Sequence, residues 1–278
     1  MLTTYTNPNS LKIQESLSKT HRSLQTAMEQ LSTGKRINSA SDDAAGLAVA
    51  AGMGSQIRGL NQAVRNANDG ISMLQTAEGA TNEMANILQR MRELAVQAAN
   101  DTYNDDVDRA AMDTEFQGLS DEINRIATVT TWNNMALFDA ANTFDYHVGF
   151  ASGTDNKISV TTTKLTSDDF GASNTNLTNA SVDTKTNALS ALDDLDDAIT
   201  DLNAARAEMG GYVNRLNFTV DNLTNISTHL SESKSRIEDA DYAQASSDLA
   251  KHQVIQQAAT AMLAQANQQP QIVLALLK

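Results

Sequence analysis

The side chains with most capacity for chemistry in this 278-residue chain are His21, His147, His229 and His252, and a run of carboxylates at Asp193, Asp194, Asp196, Asp197 and Asp201. A zinc hydrolase needs two imidazoles on one helical face with a carboxylate between them, as in H-E-x-x-H, and a nucleotide enzyme needs a glycine-rich phosphate loop; neither spacing occurs. The histidines are scattered and read as surface or packing residues. The aspartates come without a ligand set of defined geometry and read as a solvated helix face. Cysteine is absent, which removes disulfides, thiolate catalysis and Cys-based zinc sites together. A formal charge of −14 argues against a nucleic-acid partner, because neutralising phosphates requires basic patches. N-x-S/T triplets include those at Asn176, Asn179, Asn217, Asn222 and Asn225, and the last three fall in a helical pattern, so they read as chance matches to a glycosylation signal. The chain is expected to be no enzyme and to hold no cofactor or metal.

What the sequence does organise is a seam. Across residues 188–237 an apolar stripe advances by three and four residues in turn through Leu192, Leu195, Ile199, Leu202, Met209, Val213, Leu216, Val220, Leu223, Leu230 and Ile237, with Arg206, Ser227 and Lys234 in polar slots. A helix of about 50 residues is roughly 75 Å long at 1.5 Å per residue, and a single stripe on it demands partner helices of similar length. Aromatic residues make up only 4 % of the chain and proline occurs only at Pro8 and Pro270, which favours thin bundles of long, unbroken helices.

The rest of the chain supplies partners. A first helix carries Ile13, Leu17, Thr20, Leu24, Ala27 and Leu31 and stops at Gly34, a C-cap residue. Residues 35–43, KRINSASDD, form a polar connector in which Ser41, Asp42 or Asp43 caps the next helix. That helix starts weakly or as a hinge, because Gly46, Gly52, Gly54 and Gly59 each cost about 1 kcal/mol relative to alanine. Its seam runs through Ile57, Leu60, Val64, Ala67, Ile71 and Leu74, slips by three residues, and continues through Ala77, Thr81, Met84, Leu88, Met91, Ala95 and Ala98. After a polar loop at 100–106 a shorter helix presents Met112, Phe116, Leu119, Ile123 and Ile126. The stretches TTWNNMALFD, FDYHVGF and KISVTTTKL read as short strands or a hairpin, and 168–186 as an exposed loop; this insert is expected on the end of the bundle. A last helix runs from 243 to about Gln268 and is ended by Pro270. The opening residues lack the charged leader and apolar core of a signal peptide, and no apolar run is long enough to span a membrane, so export is expected to use another route. The terminal helices are marginal alone, and their folding is expected to be coupled to packing against neighbouring molecules.

Five stretches then match a known family: LSTGKRINSASDDAAGLAVA (31–50), NQAVRNANDGISMLQTAEGATNEM (61–84), LQRMRELAVQAAN (88–100), SRIEDADYA (235–243) and LAQANQQPQIVLALLK (263–278). In them the chain closely resembles bacterial flagellin, the subunit of the flagellar filament, in a short form without large outer domains. The resemblance implies a mainly α fold: a long antiparallel coiled-coil-like bundle with a small β-hairpin insert and paired terminal helices. It divides the chain into a terminal-helix core (1–33 with 244–278), spoke connectors (34–46 with 238–243) and a bundle (47–129 with 188–237) bearing the insert at 130–187.

The resemblance also implies function: a self-assembling structural subunit of a helical, extracellular filament used for motility. Its implied partners are further copies of itself, the flagellar export apparatus and an export chaperone, and the filament cap and hook–filament junction proteins, with no nucleic acid and no membrane insertion. Gln89, Arg90, Leu94 and Glu115 resemble the axial-contact segment that Toll-like receptor 5 recognises in many flagellins, and Leu274, Leu276 and Leu277 fall in the terminal assembly tail. A hook–filament junction protein shares the terminal-helix scheme but resembles these motifs less, and a coiled-coil adhesin does not need assembly-competent helices at both ends.

Overall fold

The computed structural model of the protein describes residues 7–171, 173 and 175–276, with side chains described as far as residue 268. Five helices, α1 (Pro8–Thr33), α2 (Ala44–Ala98), α3 (Ala110–Val129), α4 (Lys185–Glu238) and α5 (Tyr242–Leu276), account for most of it. The fold is mainly α with a small antiparallel β insert, as the periodicity predicts. No helix among the described residues is long and apolar enough to cross a membrane. The chain divides into two compact units, Met1–Ile57 with Thr228–Lys278, and Arg58–Ser227.

In the first unit α1 and α5 run antiparallel, the Tyr242 hydroxyl donating to Leu31 O at 3.2 Å and Ser10 Oγ to Asn267 Oδ1 at 3.1 Å. Helix α1 begins at Pro8 because Asn7 caps it, accepting from Ser10 N, while proline at the first position forfeits no helical hydrogen bond. It ends at Gly34, whose φ of 72° is open to glycine at little cost and lets its N–H close on Gln30 O. Of the three proposed caps Asp43 serves α2, accepting from Gly46 N, while Asp42 accepts from Asn38 N and Ser39 N and folds the connector on itself. Asp241 caps α5 through Ala243 N and Gln244 N.

The glycines of α2 fall within one helix that is continuous from Ala44. One expectation fails here: Pro270 does not end α5, which runs on to Leu276. Proline offers no N–H to the carbonyl four residues back, which is that of Ala266. That acceptor is satisfied from outside the helix: Asn7 Nδ2 donates to Ala266 O at 2.8 Å.

In the second unit α2 and α4 are antiparallel partners in one register. Ser227 pairs with Asn61, Arg206 with Asn82 and Asp196 with Arg92, so each step forward on α2 is answered by an equal step back on α4. The buried line on α2 is Leu60, Ala63, Ala67, Gly70, Leu74, Ala77, Thr81, Met84, Leu88, Met91, Ala95 and Ala98, a three–four alternation with no slip. The apparent slip arises from reading Val64 and Ile71 as seam residues; both are only half-buried, and Ala63 and Gly70 face inward instead. The small residues are required by close approach, because a Cβ on Gly70 would stand 3.2 Å from the Tyr146 ring and 3.3 Å from Leu216 Cδ1. Helix α3, entered through a π-helical turn at Asp105–Arg109, buries Met112, Phe116, Ser120, Ile123 and Ala127.

Among the described residues the insert holds three hairpins. Strands β1 (Thr131–Trp132) and β2 (Met135–Ala136) flank Asn133 and Asn134, both at positive φ, the two-residue turn that suits strand twist. Strands β3 (Asn142–His147) and β4 (Lys157–Thr162) pair over six residues, and β5 (Leu165–Thr166) pairs with β6 (Asp169–Phe170). The insert does not sit on the bundle end. Asn66 Nδ2 donates to His147 O and the Tyr146 hydroxyl reaches Met73 Sδ, so β3 lies along the flank of α2. Residues 168–186 are not an exposed loop either. Phe170, Leu177 and Val182 are fully buried. The segment is strapped to α3 by Val182 N donating to Asp113 Oδ1, Gln117 Nε2 to Ala180 O and Ser167 N to Asn124 Oδ1. Polar side chains of α3 thus serve as partners for the backbone of a packed segment.

Candidate assembly surfaces

The α1–α5 pair is small-residue glued. It buries Ser10, Thr20 and Ala27 from α1 and Ala245, Ala259 and Ala266 from α5. Ile13, Leu17, Leu24 and Leu31 are half-buried, while other large apolar groups remain mostly in water: Leu11 is 60 % exposed, Met28 54 %, Val254 65 % and Met262 61 %. Fully burying a side chain of this kind is worth about 1.5–3 kcal/mol, so these four, each a little over half exposed, represent on the order of 4–7 kcal/mol gross that the isolated unit does not collect. A shallow groove of about 360 Å³ between the helices, with Ile13 and Met262 in its wall, adds to the uncovered surface.

On α2 and α3, Gln89, Arg90 and Glu115 are exposed together. The Arg90 guanidinium donates through Nε and Nη2 to Glu115 Oε1 at 3.0 and 2.8 Å and through Nη1 to Glu93. Glu115 first, then Glu93, hold its pKa above the ordinary arginine value. Exposed pairs of this sort contribute little to stability, so their effect is to fix the shape of the face. Leu94 is 2 % exposed and packs beneath as support, offering no surface of its own. Leu274, Leu276 and Leu277 lie outside the described residues, apart from the backbone of α5 as far as Leu276.

Along α4, Leu195, Leu202, Met209, Leu216 and Leu223 are buried, whereas Leu192, Ile199, Val213, Val220, Leu230 and Ile237 are half-buried. Ala188, Ala191, Ala198 and Ala205 take the intervening inward slots. The polar slots are all bonded: Arg206 to Asn82, Ser227 to Asn61 and Lys234 to Glu238.

Several structural residues escape sequence reading. Arg109, 5 % exposed, donates to Ala98 O at 2.6 Å and Asn100 O at 2.7 Å and pairs with Asp105. It closes the C-terminus of α2, where carbonyls lack helical partners and the dipole favours a cation. The only signal in the sequence is an arginine a few residues past a helix end. Asp201, nominally part of a solvated acidic face, accepts from Ser173 N and Oγ, and Asp196 is held below the ordinary carboxyl value by hydrogen bonding to Arg92. Glu238 accepts from Lys35 at 2.5 Å and Lys234 at 3.2 Å, where the first connector meets the end of α4. His21, His147 and His229 are exposed, and His252 is half-buried with Nδ1 unpartnered. Among the described residues no three His, Asp or Glu side chains converge to hold a metal.

Long antiparallel helices with large apolar side chains left exposed on their faces define a class of mainly α, bundle-forming proteins. Comparison with known proteins makes the class particular. Residues 5–143 match the bacterial flagellin N-terminal helical region and residues 192–277 the bacterial flagellin C-terminal helical region. A flagellin of Halalkalibacterium halodurans is 48 % identical over 255 residues, 91 % of this chain and 92 % of that protein. The flagellar filament 33 kDa core protein of Treponema phagedenis is 39 % identical over 284 residues, 98 % of each. The chain belongs to the bacterial flagellin family. It is a structural subunit of the extracellular flagellar filament and not an enzyme. A solved putative flagellar hook-associated protein from Vibrio parahaemolyticus superposes with a TM-score of 0.60 over 71 % of this chain and all of that one; at 16 % identity this shows a shared fold alone.

Proposed function

We propose that copies of this chain polymerise through their terminal helices, residues 1–33 and 244–278 forming the filament core, 34–46 and 238–243 the spokes and the bundle the outer contacts. The observation that carries this is the inverted α1–α5 pair, with serine, threonine and alanine buried and Leu11, Met28, Val254 and Met262 exposed. Such a pair gains most of its apolar burial from neighbours. Contacts that do not close on themselves yield an open helical array. The half-buried residues of α4, and the exposed face of Gln89, Arg90 and Glu115, are assigned to subunit contacts, the latter face also to recognition by Toll-like receptor 5. Delivery through the flagellar export apparatus with a chaperone, and growth between a junction and a cap protein, complete the reading, with Leu274, Leu276 and Leu277 in the assembly tail. Electron microscopy of seeded protein tests it. The intact chain forms long tubes and a chain lacking 1–33 and 244–278 does not; absence of tubes from the intact chain, or their persistence after truncation, overturns it.

A further inference from the structure

The second unit carries two complementary features at its opposite ends. Beside Leu60 the turn after β3 and the outer face of α4 enclose an open groove of about 340 Å³. Leu60, Val148, Ile158 and Leu223 form its apolar floor, and Phe150 and Ile226, 54 % and 41 % exposed, form its lip. Arg215 stands on the α4 side of the rim and Asp155 in the turn before β4, neither forming an ion pair among the described residues; the other basic group, Lys157, is already paired with Asp145. One turn along α4, Phe218 is 76 % exposed, the most of any large apolar side chain described. An apolar floor with an unpaired cation on its α4 side suits an apolar knob whose flanking carboxylates lie toward Arg215 and away from Asp155.

The chain contains such a knob. In the π-helical turn Asp105–Arg109, Val107 is 67 % exposed and stands between Asp106 and Asp108, both exposed. Among the described residues Asp106 makes no ion pair, and Asp108 accepts from Asn104 N. The turn follows the C-terminus of α2, whereas the groove lies beside Leu60. At 1.5 Å per residue the two are about 57 Å apart along α2, too far for one molecule to satisfy itself.

We infer that Val107 of one subunit seats in the Leu60–Leu223 groove of the next, with Asp106 and Asp108 facing Arg215. Knob and groove are different patches at opposite ends of the same unit, so the contact is heterologous and repeats without closing, as a filament requires. The inference rests on the proposed polymerisation and adds the residues that define one contact line within it.

Because the chain has no cysteine, a pair can be placed cleanly. The double variant Val107→Cys with Ile226→Cys, assembled on seeds and then oxidised, is expected to give a ladder of disulfide-linked oligomers on a denaturing gel, with each single variant giving none. As an independent arm, Arg215→Glu and Asp106→Arg are each expected to slow seeded growth several-fold, and their combination in one chain to restore it. Tubes that form normally but give no ladder and no charge-swap rescue overturn this pairing while leaving polymerisation intact. If cysteine substitution prevents tubes, the charge swap alone decides. Absence of tubes from the unmodified chain overturns both readings.

Discussion

Arg109→Met isolates the closure of α2 from every other contact in the second unit. Methionine keeps most of the apolar stem but leaves the carbonyls of Ala98 and Asn100 without their donor. Ala98 is fully buried, so its carbonyl has no access to water and forfeits a charge-assisted bond of about 1.5–3 kcal/mol. Asn100 is exposed and its carbonyl can be rehydrated, which limits that loss to roughly 0.5–1 kcal/mol. The exposed side chain of Asp105 adds little. The sum is about 2–4 kcal/mol, which for a unit of this size lowers the melting temperature by roughly 6–12 °C. The assay is thermal unfolding followed by circular dichroism at 222 nm, below the concentration at which polymers form. Arg109→Lys, whose ammonium serves one carbonyl at a time, falls between the variant and the parent. A shift of less than about 2 °C for Arg109→Met would refute the argument that α2 depends on this cap.

Three further predictions concern the seam, the connector and the acidic run of α4. Ala63→Leu, at a 1 % exposed site, overpacks the α2–α4 interface by about 1–3 kcal/mol, whereas Val64→Leu, at a half-buried site, stays within about 0.5 kcal/mol; urea unfolding of the two variants distinguishes the registers, and the opposite order returns Val64 to the seam. Hydrogen bonding from Lys35 holds the Glu238 carboxyl below its ordinary value of 4.5, so its stabilisation is fully present above that pH and is lost as pH falls through the lower folded value. Glu238→Gln removes this contribution near neutrality and flattens the acid limb of the melting-temperature profile; parallel profiles for parent and variant would show the pair to be inert. Asp194 has the opposite sign. Burial first, then Asp197 and Asp193, raise its pKa, so its charged form opposes folding near neutrality. Asp194→Asn therefore raises stability at pH 7, and the gain disappears as pH falls and the parent carboxyl protonates.

By itself the sequence determined the elements and their class. The three–four periodicity, the near absence of proline, Gly34 after the first helix and the Ser/Asp connector establish long helices and where most of them begin and end. The motifs around 31–50, 61–84 and 235–243 establish the family. Those signals are local, depending on covalent backbone preferences and on apolar residues recurring once per turn.

Only the tertiary structure decided which of two adjacent lines on each long helix turns inward. Hydrophobicity favours Val64, Ile71, Leu192 and Ile199, yet Ala63, Gly70, Ala191 and Ala198 are buried more deeply. Backbones that approach closely have room on the contact line only for small side chains, and the branched residues cover the flanks. The same cause hid the other corrections. Residues 168–186 look like a loop because their polar groups pair with Asp113, Gln117 and Asn124, far away in the chain. Pro270 looks like a terminus because the donor that completes Ala266 O is Asn7, at the other end of the sequence. Arg109 looks like one more charge in a polar loop because the carbonyls it satisfies become unpaired only when α2 ends. In each case the deciding partner is set by which surfaces meet, and periodicity within one segment carries no record of that.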